Sequence, residues 1–303
     1  MNLLLTGAFK YSDDEIALLK QLGTDIIFQQ DERKELDIDV SDIDAVVCNS
    51  LFLYNDIAEF TNLKYIQLTS AGLDRVPLEY IKQNNIILHN ARGVYSVPMA
   101  EWALGKVLEI YNASRFFYKQ QIKKEWNKKH EIFELDTKTV CVVGIGSVGT
   151  EVVKRFAAMG CHTIGVDVYL TGLTNEAFLI NDIDKALEKS DVIILTMPLT
   201  SETKHLFNKQ KFEIIKEDAV FVNLARGGLV KETDLIEAVQ ANRFIGLALD
   251  VFEDEPLPKN SPLWEMDNVI ITPHNSFKSE KIQERLFQMI YKNLEVFSRN
   301  RWG

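Results

Sequence analysis

Short apolar runs alternate with amphipathic stretches of helical spacing along most of the chain. Early in the chain the pattern predicts a helix that begins after Ser12, where Glu15 completes a capping box. The strands predicted in this part are Asn2–Thr6, Asp25–Phe28, Ala45–Cys48, Tyr65–Leu68 and Ile86–Leu88. Strands that alternate with helices are typical of parallel sheets. This part of the chain is therefore expected to form a small parallel-sheet domain.

The alternation continues beyond a helical run that begins at Pro98. The strands predicted after it are Thr139–Val143, His162–Val166, Val192–Leu195, Ala219–Asn223, Phe244–Ala248 and Val269–Thr272. A final amphipathic helix follows, with Ile282 among its first apolar residues. The predicted fold class is α/β, with two doubly wound parallel-sheet domains. We expect one domain to comprise residues 1–97 and 276–303, and the other to comprise residues 98–275.

The turn after the strand Thr139–Val143 has glycines at positions 144, 146 and 149, and an apolar helical run follows it. Gly144 permits a tight turn, Gly146 lets the backbone approach a pyrophosphate, and Gly149 lets the helix pack close to its strand. The next strand ends in Asp167, where a carboxylate can accept hydrogen bonds from a ribose. A glycine turn in an unrelated α/β sheet is the alternative. The combination favours a Rossmann dinucleotide-binding domain.

Composition narrows the possible partners of this 303-residue chain. Its 34 basic and 44 acidic residues give a net charge of −10, which would repel the phosphates of a nucleic acid. The lysines around Trp126 are interpreted as a solvated helix end, with an interaction surface as the alternative. No apolar stretch is long enough to span a membrane, and the three cysteines have no metal-like or redox spacing. We expect no nucleic-acid or membrane partner, no metal and a cytoplasmic location.

Three further stretches place polar side chains at the ends of predicted strands. They are Asn223-Leu-Ala-Arg226-Gly-Gly228, Asp250-Val-Phe-Glu-Asp-Glu255-Pro256 and Thr272-Pro-His274-Asn275. Ligands of doubly wound sheets bind beyond the carboxyl ends of the strands. We therefore expect all three stretches to lie beside a nicotinamide.

With these motifs in this order, the chain resembles the D-isomer-specific 2-hydroxyacid dehydrogenase family over nearly its whole length. Two more stretches carry the resemblance, Thr69-Ser-Ala-Gly-Leu-Asp74 and Pro198-Leu-Thr-Ser-Glu-Thr203. It implies that the smaller domain is a split flavodoxin-like substrate domain and that the cofactor is NAD. It also implies hydride transfer between nicotinamide C4 and C2 of a small D-2-hydroxy or 2-keto acid, and a homodimer formed mainly through the dinucleotide domains.

The resemblance also implies which residues bind the cofactor, and it assigns the nicotinamide carboxamide to Asp250. These residues are Gly144, Gly146, Ser147, Val148, Gly149, Asp167, Pro198, Thr203, Leu224, Ala225, Arg226, Asp250 and His274. No basic residue follows Asp167 closely enough to receive a 2′-phosphate. Two unit charges about 4 Å apart, at an effective dielectric constant near 20, repel by roughly 4 kcal/mol, or about a thousandfold in affinity. We therefore expect NAD to be preferred over NADP.

By the same resemblance, catalysis falls on Arg226, Glu255 and His274. A planar guanidinium can donate to the carboxylate and the keto oxygen of a 2-keto acid at once, so Arg226 is expected to orient and polarise the substrate. His274 is expected to donate a proton in reduction and to accept one in oxidation. Glu255 is expected to hydrogen-bond the other ring nitrogen and to favour the imidazolium. Reduction should then persist to lower pH than oxidation.

Substrate binding is expected in a cleft between the two domains, where backbone N–H groups at positions 71 and 72 would take the substrate carboxylate. The residues implied are Ala71, Gly72, Arg226 and His274. A phosphate-bearing substrate would need further cations, for which Arg75 and Arg92 are candidates, although surface solvation explains them equally well. Glyoxylate-like, hydroxypyruvate-like, phosphoglycerate-like and lactate-like substrates all remain open.

Each catalytic candidate has a simpler explanation when taken alone. Arg226 could form an ion pair at a strand end, Glu255 could be a solvated loop acid, and His274 could be an ordinary loop histidine. Their joint pattern favours the catalytic interpretation. Two other functions are compatible with the same architecture, a formate dehydrogenase-like enzyme and a non-enzymatic NAD(H)-sensing corepressor. Glu255 argues against the first, because formate oxidation leaves no alkoxide proton to transfer.

Overall fold

The computed structural model describes residues 1–302, and the side chains of residues 1–299. The chain divides into two compact units. The first unit comprises Met1–Tyr95 and the segment from Ser279 onward, and the second unit comprises Ser96–Lys278. Each unit contains one parallel sheet with helices, which confirms the α/β fold class. Within residues 1–302, no helix is both long and apolar enough to cross a membrane.

The first unit has a five-stranded parallel sheet with the order β2-β1-β3-β4-β5. Its strands are β1 Asn2–Thr6, β2 Asp25–Gln29, β3 Ala45–Cys48, β4 Tyr65–Leu68 and β5 Ile87–His89. Its helices are α1 Asp13–Gln21, α2 Leu78–Gln83 and α9 Ile282–Trp302, with 3-10 turns at Leu51–Leu53 and Ile57–Glu59. This strand order is that of flavodoxin-like sheets.

Helix α9 packs against the sheet of the first unit. Leu286, Ile290 and Leu294 of α9 pack with Leu3 and Leu5 of β1 in one fully apolar cluster. The returning helix therefore supplies much of the core of the first unit, although it comes from the other end of the chain. The apolar stripe of α9 drives this packing, since burial of such side chains contributes roughly 1.5–3 kcal/mol each.

Helix α1 begins with the predicted capping box. The Ser12 hydroxyl accepts the Glu15 N–H at 3.2 Å, and the Glu15 carboxylate accepts the Ser12 N–H at 2.8 Å. Both bonds satisfy donors that the first helical turn leaves unpaired.

The second unit has a seven-stranded parallel sheet with the order β12-β11-β10-β9-β6-β7-β8. Its strands are β6 Thr139–Val143, β7 His162–Asp167, β8 Glu176–Leu179, β9 Val192–Leu195, β10 Ala219–Asn223, β11 Phe244–Leu249 and β12 Val269–Ile271. Its helices are α3 Ser96–Tyr111, α4 Ser114–Lys123, α5 Ser147–Ala158, α6 Ile183–Leu187, α7 Lys209–Ile214 and α8 Glu232–Gln240, with 3-10 turns at Ile180–Asp182, Gly227–Leu229 and Pro262–Glu265.

The interior strand β6 pairs with β7 on one side and with β9 on the other. The strand order therefore reverses beside β6, which is where dinucleotide-binding sheets bind their ligand. All pairs are parallel, so the carboxyl ends of the strands lie along one edge of the sheet, here called the carboxyl edge. Every predicted site residue of this unit follows or ends one of these strands.

Candidate active site

The three glycines of the turn between β6 and α5 have different surroundings. Gly144 has φ of 101°, and a Cβ added to it would lie 2.6 Å from the backbone of Met197. A Cβ on Gly149 would lie 2.0 Å from the Gly144 carbonyl oxygen, so only glycine lets α5 start this close to β6. A Cβ on Gly146 would meet nothing within 4 Å. The turn is thus closed on the sheet side and open at Gly146.

The open side of this turn suits a pyrophosphate. Helix α5 starts at Ser147 with Gly146 as its N-cap, and no side chain caps its first N–H groups. Uncapped donors and the positive end of the helix dipole favour an anion at this point. The Thr196 hydroxyl supports the turn from below by donating to the Gly144 carbonyl at 2.5 Å. The residues present therefore fit the phosphates of a dinucleotide.

Asp167 closes β7 next to this turn. Its carboxylate accepts the backbone N–H of Ile145 at 2.5 Å and that of Val168 at 2.6 Å. These two bonds tie the carboxylate to the glycine turn, and each oxygen keeps a lone pair for a ribose hydroxyl. Beyond Asp167, the side chains of Val168 and Tyr169 are 62% and 81% exposed. The two residues that directly follow Asp167 are therefore exposed, and neither carries a positive charge.

The stretch from Pro198 to Thr203 forms a compact turn after β9. The Thr203 hydroxyl donates to the Pro198 carbonyl at 2.9 Å and accepts the Thr200 N–H at 2.7 Å. The turn is exposed, and the Thr203 hydroxyl holds the backbone of the turn in place. Pro198 and Thr203, which are both predicted to bind the cofactor, are thus joined by a hydrogen bond.

Arg226 lies in the loop that follows β10. The buried Asn223 side chain accepts the Ala225 N–H at 3.1 Å and donates to the Arg226 carbonyl at 3.0 Å, which closes the loop from inside. The Arg226 guanidinium is half-buried and donates to the Ala225 carbonyl at 2.8 Å. A Cβ on Gly227 would lie 1.9 Å from the backbone of Phe252, so this loop packs directly on the stretch that carries Glu255.

Asp250 directly follows β11 and is completely buried. One carboxylate oxygen accepts the Thr272 hydroxyl at 2.5 Å and the Asn275 N–H at 2.8 Å, and the other accepts the Ser276 N–H at 2.9 Å. Its carboxylate therefore holds the loop from Thr272 to Ser276 onto the sheet. The sequence did not predict these three contacts, and the resemblance assigned Asp250 to the nicotinamide. That contact stays a prediction.

His274 lies in the middle of this anchored loop. Its backbone has φ of 49°, and its N–H donates to the Asp250 carbonyl at 2.8 Å. A left-handed backbone at a non-glycine residue is uncommon and often occurs at functional sites. The surrounding hydrogen bonds fix this conformation and so aim the ring.

The ring of His274 contacts Glu255, as the sequence predicted. The distance from Nδ1 to Glu255 Oε2 is 2.8 Å, and each side chain is 37% exposed. Glu255 Oε1 also accepts the Phe252 N–H at 3.1 Å. Because a carboxylate can only accept, Nδ1 carries a proton and Nε2 is left for another partner.

A second histidine pair on the carboxyl edge was not predicted. His205 Nε2 lies 2.5 Å from Glu253 Oε1. Glu253 Oε2 also accepts the Glu232 N–H at 2.9 Å. Burial raises the pKa of the Glu232 carboxyl above its usual value; the Glu253 N–H opposes this effect, and the charges of Glu253 and Asp254 add to it. The sequence of the Asp250–Glu255 stretch did not predict that His205, Glu232 and Glu253 would lie together.

In the first unit, the loop Thr69–Asp74 follows β4. The Asn90 amide donates to the Ala71 carbonyl at 2.6 Å, the Ala91 N–H donates to the Ser70 carbonyl at 2.8 Å, and the Tyr95 hydroxyl donates to the Thr69 carbonyl. The segment after β5 thus donates hydrogen bonds to the carbonyl groups of this loop and holds it in place. The predicted substrate donors, the N–H groups of Ala71 and Gly72, are on a loop braced in this way.

The chain is similar to known proteins over most of its length. Residues 104–276 match the family model described as D-isomer specific 2-hydroxyacid dehydrogenase, NAD binding domain. The chain is 34% identical over 278 residues to a D-3-phosphoglycerate dehydrogenase of Methanocaldococcus jannaschii, covering 90% of this chain and 53% of the relative. The chain therefore spans about half the length of that relative.

Two further proteins are similar over most of their length. A glyoxylate reductase of Thermofilum pendens is 33% identical over 276 residues, which is 86% of this chain and 80% of that protein. A solved structure of a probable 2-hydroxyacid dehydrogenase from Rhizobium etli, in complex with NADP, HEPES and L(+)-tartaric acid, is 27% identical with a TM-score of 0.79. That comparison covers 99% of this chain and 95% of the solved chain.

Proposed function

The chain belongs to the D-isomer specific 2-hydroxyacid dehydrogenase family, and from this we propose that it interconverts small 2-keto acids and D-2-hydroxy acids with NAD. The observation that carries the proposal is the pair of His274 and Glu255, held at 2.8 Å on the carboxyl edge. When bound, the nicotinamide supplies the hydride in reduction and accepts it in oxidation. The residues of this chain bind, orient and protonate the substrate.

The glycine turn and the first N–H groups of α5 would hold the pyrophosphate, and Asp167 would accept from the adenosine ribose. The open space at Gly146 and the uncapped start of α5 support this assignment. The remaining predicted cofactor residues, from the turns after β9 and β10, lie along the same carboxyl edge.

We assign substrate orientation to Arg226. Its guanidinium would donate to the substrate carboxylate and to the keto oxygen, and a fork of parallel N–H groups fixes both at once. The closing hydrogen bonds of Asn223 support this role, because they reduce the freedom of the loop that carries the arginine.

We assign proton transfer to Nε2 of His274. In reduction, negative charge develops on the keto oxygen, and an imidazolium donates a proton to it; in oxidation, the neutral ring accepts that proton. Glu255 would stabilise the imidazolium through Nδ1 and hold the ring in one tautomer. Their contact argues for hydroxy acid chemistry over formate oxidation, where no alkoxide proton is transferred.

In the first unit, the N–H groups of Ala71 and Gly72 are the proposed donors for the substrate carboxylate. The hydrogen bonds that brace the carbonyls of Thr69, Ser70 and Ala71 support this assignment, because they hold the loop while its N–H groups bind. Which 2-keto acid binds is the point that experiment has to decide.

The proposal is tested by mixing the purified protein with NADH and glyoxylate, hydroxypyruvate, pyruvate or phosphohydroxypyruvate. Loss of NADH absorbance is followed for each acid, with the Arg226→Ala variant as the matched control for enzyme-independent loss. We expect turnover of at least one acid and none by the variant. NADH binding without turnover of any acid would instead favour the NAD(H)-sensing regulatory protein.

We further propose that NAD is preferred over NADP. Support comes from Asp167 and from the rim after it, which has exposed Val168 and Tyr169 where a cation would be needed for a 2′-phosphate. The Asp167→Ala variant should lose most of a preference of about a thousandfold, measured as the ratio of kcat/KM for NADH and NADPH. An unchanged ratio would contradict the charge argument.

We also propose a homodimer formed through the second unit. A cavity of about 780 Å³ lies between α4 and β12, where Phe117, Tyr118 and Trp264 are among its lining residues. Nearby along the chain, Ile122 is 65% exposed and Trp126 is 97% exposed. Apolar side chains this exposed favour a second copy of the chain as their cover.

The dimer is tested by light scattering on the intact protein and on the double variant Ile122→Ser, Trp126→Ser. We expect the mass of a dimer for the first and of a monomer for the second. Tyr169→Ser, which removes a comparably exposed aromatic beside Asp167, serves as the control and should remain a dimer. A monomeric intact protein would disprove the proposal.

A cytoplasmic location is the last part of the proposal. Cys48, Cys141 and Cys161 are all buried and unpaired. Free thiols are typical of a reducing compartment. Cell fractionation with an antibody against the native protein tests this, and recovery in an extracytoplasmic fraction would contradict it.

A further inference from the structure

A cavity of about 420 Å³ lies in the first unit between α9 and the edge strand β5. Its volume falls within the range of about 300–1,000 Å³ that is typical of small-molecule sites. Its walls include Leu73, Leu88, His89, Arg92, Met289 and Asn293. The lining therefore combines apolar side chains with two that can carry positive charge.

The lining of this cavity contains an arginine and no acidic side chain. Arg92 lines the cavity, and in the described part of the chain its guanidinium has neither an ion-pair partner nor a hydrogen-bond acceptor. No aspartate or glutamate is among the lining residues. A guanidinium offers a planar fork of donors that matches a carboxylate or a phosphate group. The cavity therefore presents an available cationic fork to a ligand.

Hydrogen bonds hold the wall formed by His89 and Asn293 in place. The Tyr65 hydroxyl and the Asn293 amide both donate to Gln67 Oε1 at 2.9 Å, and His89 Nδ1 lies 3.2 Å from the Tyr65 oxygen. Because Tyr65 gives its proton to Gln67, the His89 Nδ1–H donates to Tyr65 and Nε2 remains for a ligand. Tyr65 and Gln67 are completely buried. The wall that carries His89 and Asn293 is thus organised before any ligand binds.

Some of the residues that line the cavity belong to the loop Thr69–Asp74 or lie next to residues that hydrogen-bond this loop. Leu73 belongs to this loop and also lines the cavity. Asn90 lies next to His89 and hydrogen-bonds Ala71, while Ala91 lies next to Arg92 and hydrogen-bonds Ser70. A ligand that orders Arg92 therefore acts on the segment that braces the loop.

We propose that this cavity binds a small organic anion, with its carboxylate or phosphate on Arg92 and a short aliphatic part against Leu73, Leu88 and Met289. We also propose that binding there changes the affinity of the loop Thr69–Asp74 for substrate. The second statement rests on the proposed function, whereas the first does not.

Binding is tested by calorimetry with 3-methylbutanoate and, separately, with inorganic phosphate, at constant ionic strength. Neither probe has a 2-keto or 2-hydroxy group, so neither is a substrate. We expect Arg92→Ala to weaken binding of 3-methylbutanoate by at least about tenfold. Arg226→Ala should bind as the intact protein does, and so should Lys82→Ala, which removes an exposed charge outside the cavity.

The outcomes separate the two anion sites. Binding that is lost in Arg226→Ala and kept in Arg92→Ala would overturn the proposal, because the anion would then occupy the active site. If phosphate binds and 3-methylbutanoate does not, the proposed contact of an aliphatic group with Leu73, Leu88 and Met289 is wrong. If Arg92→Ala proves unstable, Arg92→Lys keeps the charge without the fork and should weaken binding by a smaller factor; equal binding would count against the site.

The connection to the loop is tested by kinetics. With 3-methylbutanoate at saturation, we expect KM for the keto acid to change at least about twofold with little change in kcat. Arg92→Ala should show no such change. Loss of all turnover would concern the proposed function and leave the binding result standing, whereas binding without an effect on KM would overturn the connection alone.

Discussion

Two histidine–glutamate pairs lie on the carboxyl edge of the second unit, and they are alike in almost every local respect. His274 contacts Glu255 at 2.8 Å and His205 contacts Glu253 at 2.5 Å, with side-chain exposures between 30% and 37% in all four residues. Both histidines have a left-handed backbone, with φ of 49° and 54°. Residue type, distance and burial therefore do not distinguish a proton-transfer site from a structural pair.

The pairs differ in what surrounds them. His274 uses Nδ1 and leaves Nε2, and its loop is anchored by the buried Asp250. His205 uses Nε2, and its partner Glu253 also accepts the N–H of Glu232, so this pair ties three segments together. Each ring keeps one nitrogen outside its glutamate contact, Nε2 in His274 and Nδ1 in His205. The anchoring of the His274 loop by Asp250 is therefore the feature that separates the two pairs.

Replacing each histidine should give the largest contrast. His274→Asn should lower kcat by about a hundredfold to ten-thousandfold, because the keto oxygen then lacks its proton donor. His205→Asn should change kcat by less than about threefold, since it removes only a surface pair. Steady-state reduction of the best keto acid measures both, with NADH binding by fluorescence as the control. Equal losses in the two variants would show that the pairs are not functionally distinct.

Replacing the buried anchor of the His274 loop should have the next largest effect. Asp250→Asn places a donor where three hydrogen bonds need acceptors, so it should lower the free energy of unfolding by about 1–3 kcal/mol and kcat with it. Calorimetric unfolding measures the first effect. Asp267→Asn is the control, since it removes only an exposed ion pair with Lys119 and should change stability little. An unchanged Asp250→Asn protein would contradict the anchoring role.

The two glutamates provide a finer test. Glu255→Gln removes the carboxylate that Nδ1 of His274 contacts, so kcat for reduction should fall by about tenfold, because the ring loses the partner that orients it for proton transfer. Glu253→Gln should change kcat by less than about threefold, since it removes only a surface pair. Both variants are measured with NADH at saturation. An equal loss in Glu253→Gln would mean that the second pair also reaches the reacting atoms.

The smallest effect is expected at Glu232, beside the structural pair. Burial raises the pKa of this carboxyl in the folded protein, so the folded state favours the protonated form and its stability falls as pH rises through that pKa. Glu232→Gln should therefore raise Tm at pH 7, by up to about 2 °C, and the gain should vanish below the usual pKa of a glutamate. A gain that persists at pH 3.5 would exclude this cause.

The fold could be predicted from the sequence wherever local patterns decide it. The apolar runs located eleven of the twelve strands, and the capping box located the start of α1. The missed strand is β8, a short edge strand whose residues are only partly buried, so it lacks an apolar run. Helix α3 begins at Ser96 and includes Pro98 in its first turn, where proline is tolerated.

The candidate site could be predicted as residue types but not as a set of contacts. Arg226, Glu255 and His274 were chosen from their motifs and from the family resemblance. The pairing of His205 with Glu253 spans 48 residues, and no spacing signal exists at that distance. The cavity beside Arg92 joins β5 to α9, which are almost two hundred residues apart, so only the folded chain brings its walls together.

The glycine turn, the strand pattern and the residue types at the strand ends follow from local sequence, because they depend on neighbours within a few positions. The folded chain is needed to establish which nitrogen of His274 contacts Glu255, that Asp250 anchors the His274 loop, and that a second pair lies on the same edge. These contacts depend on the packing of parallel strands, whose adjacent carboxyl ends are distant in the chain.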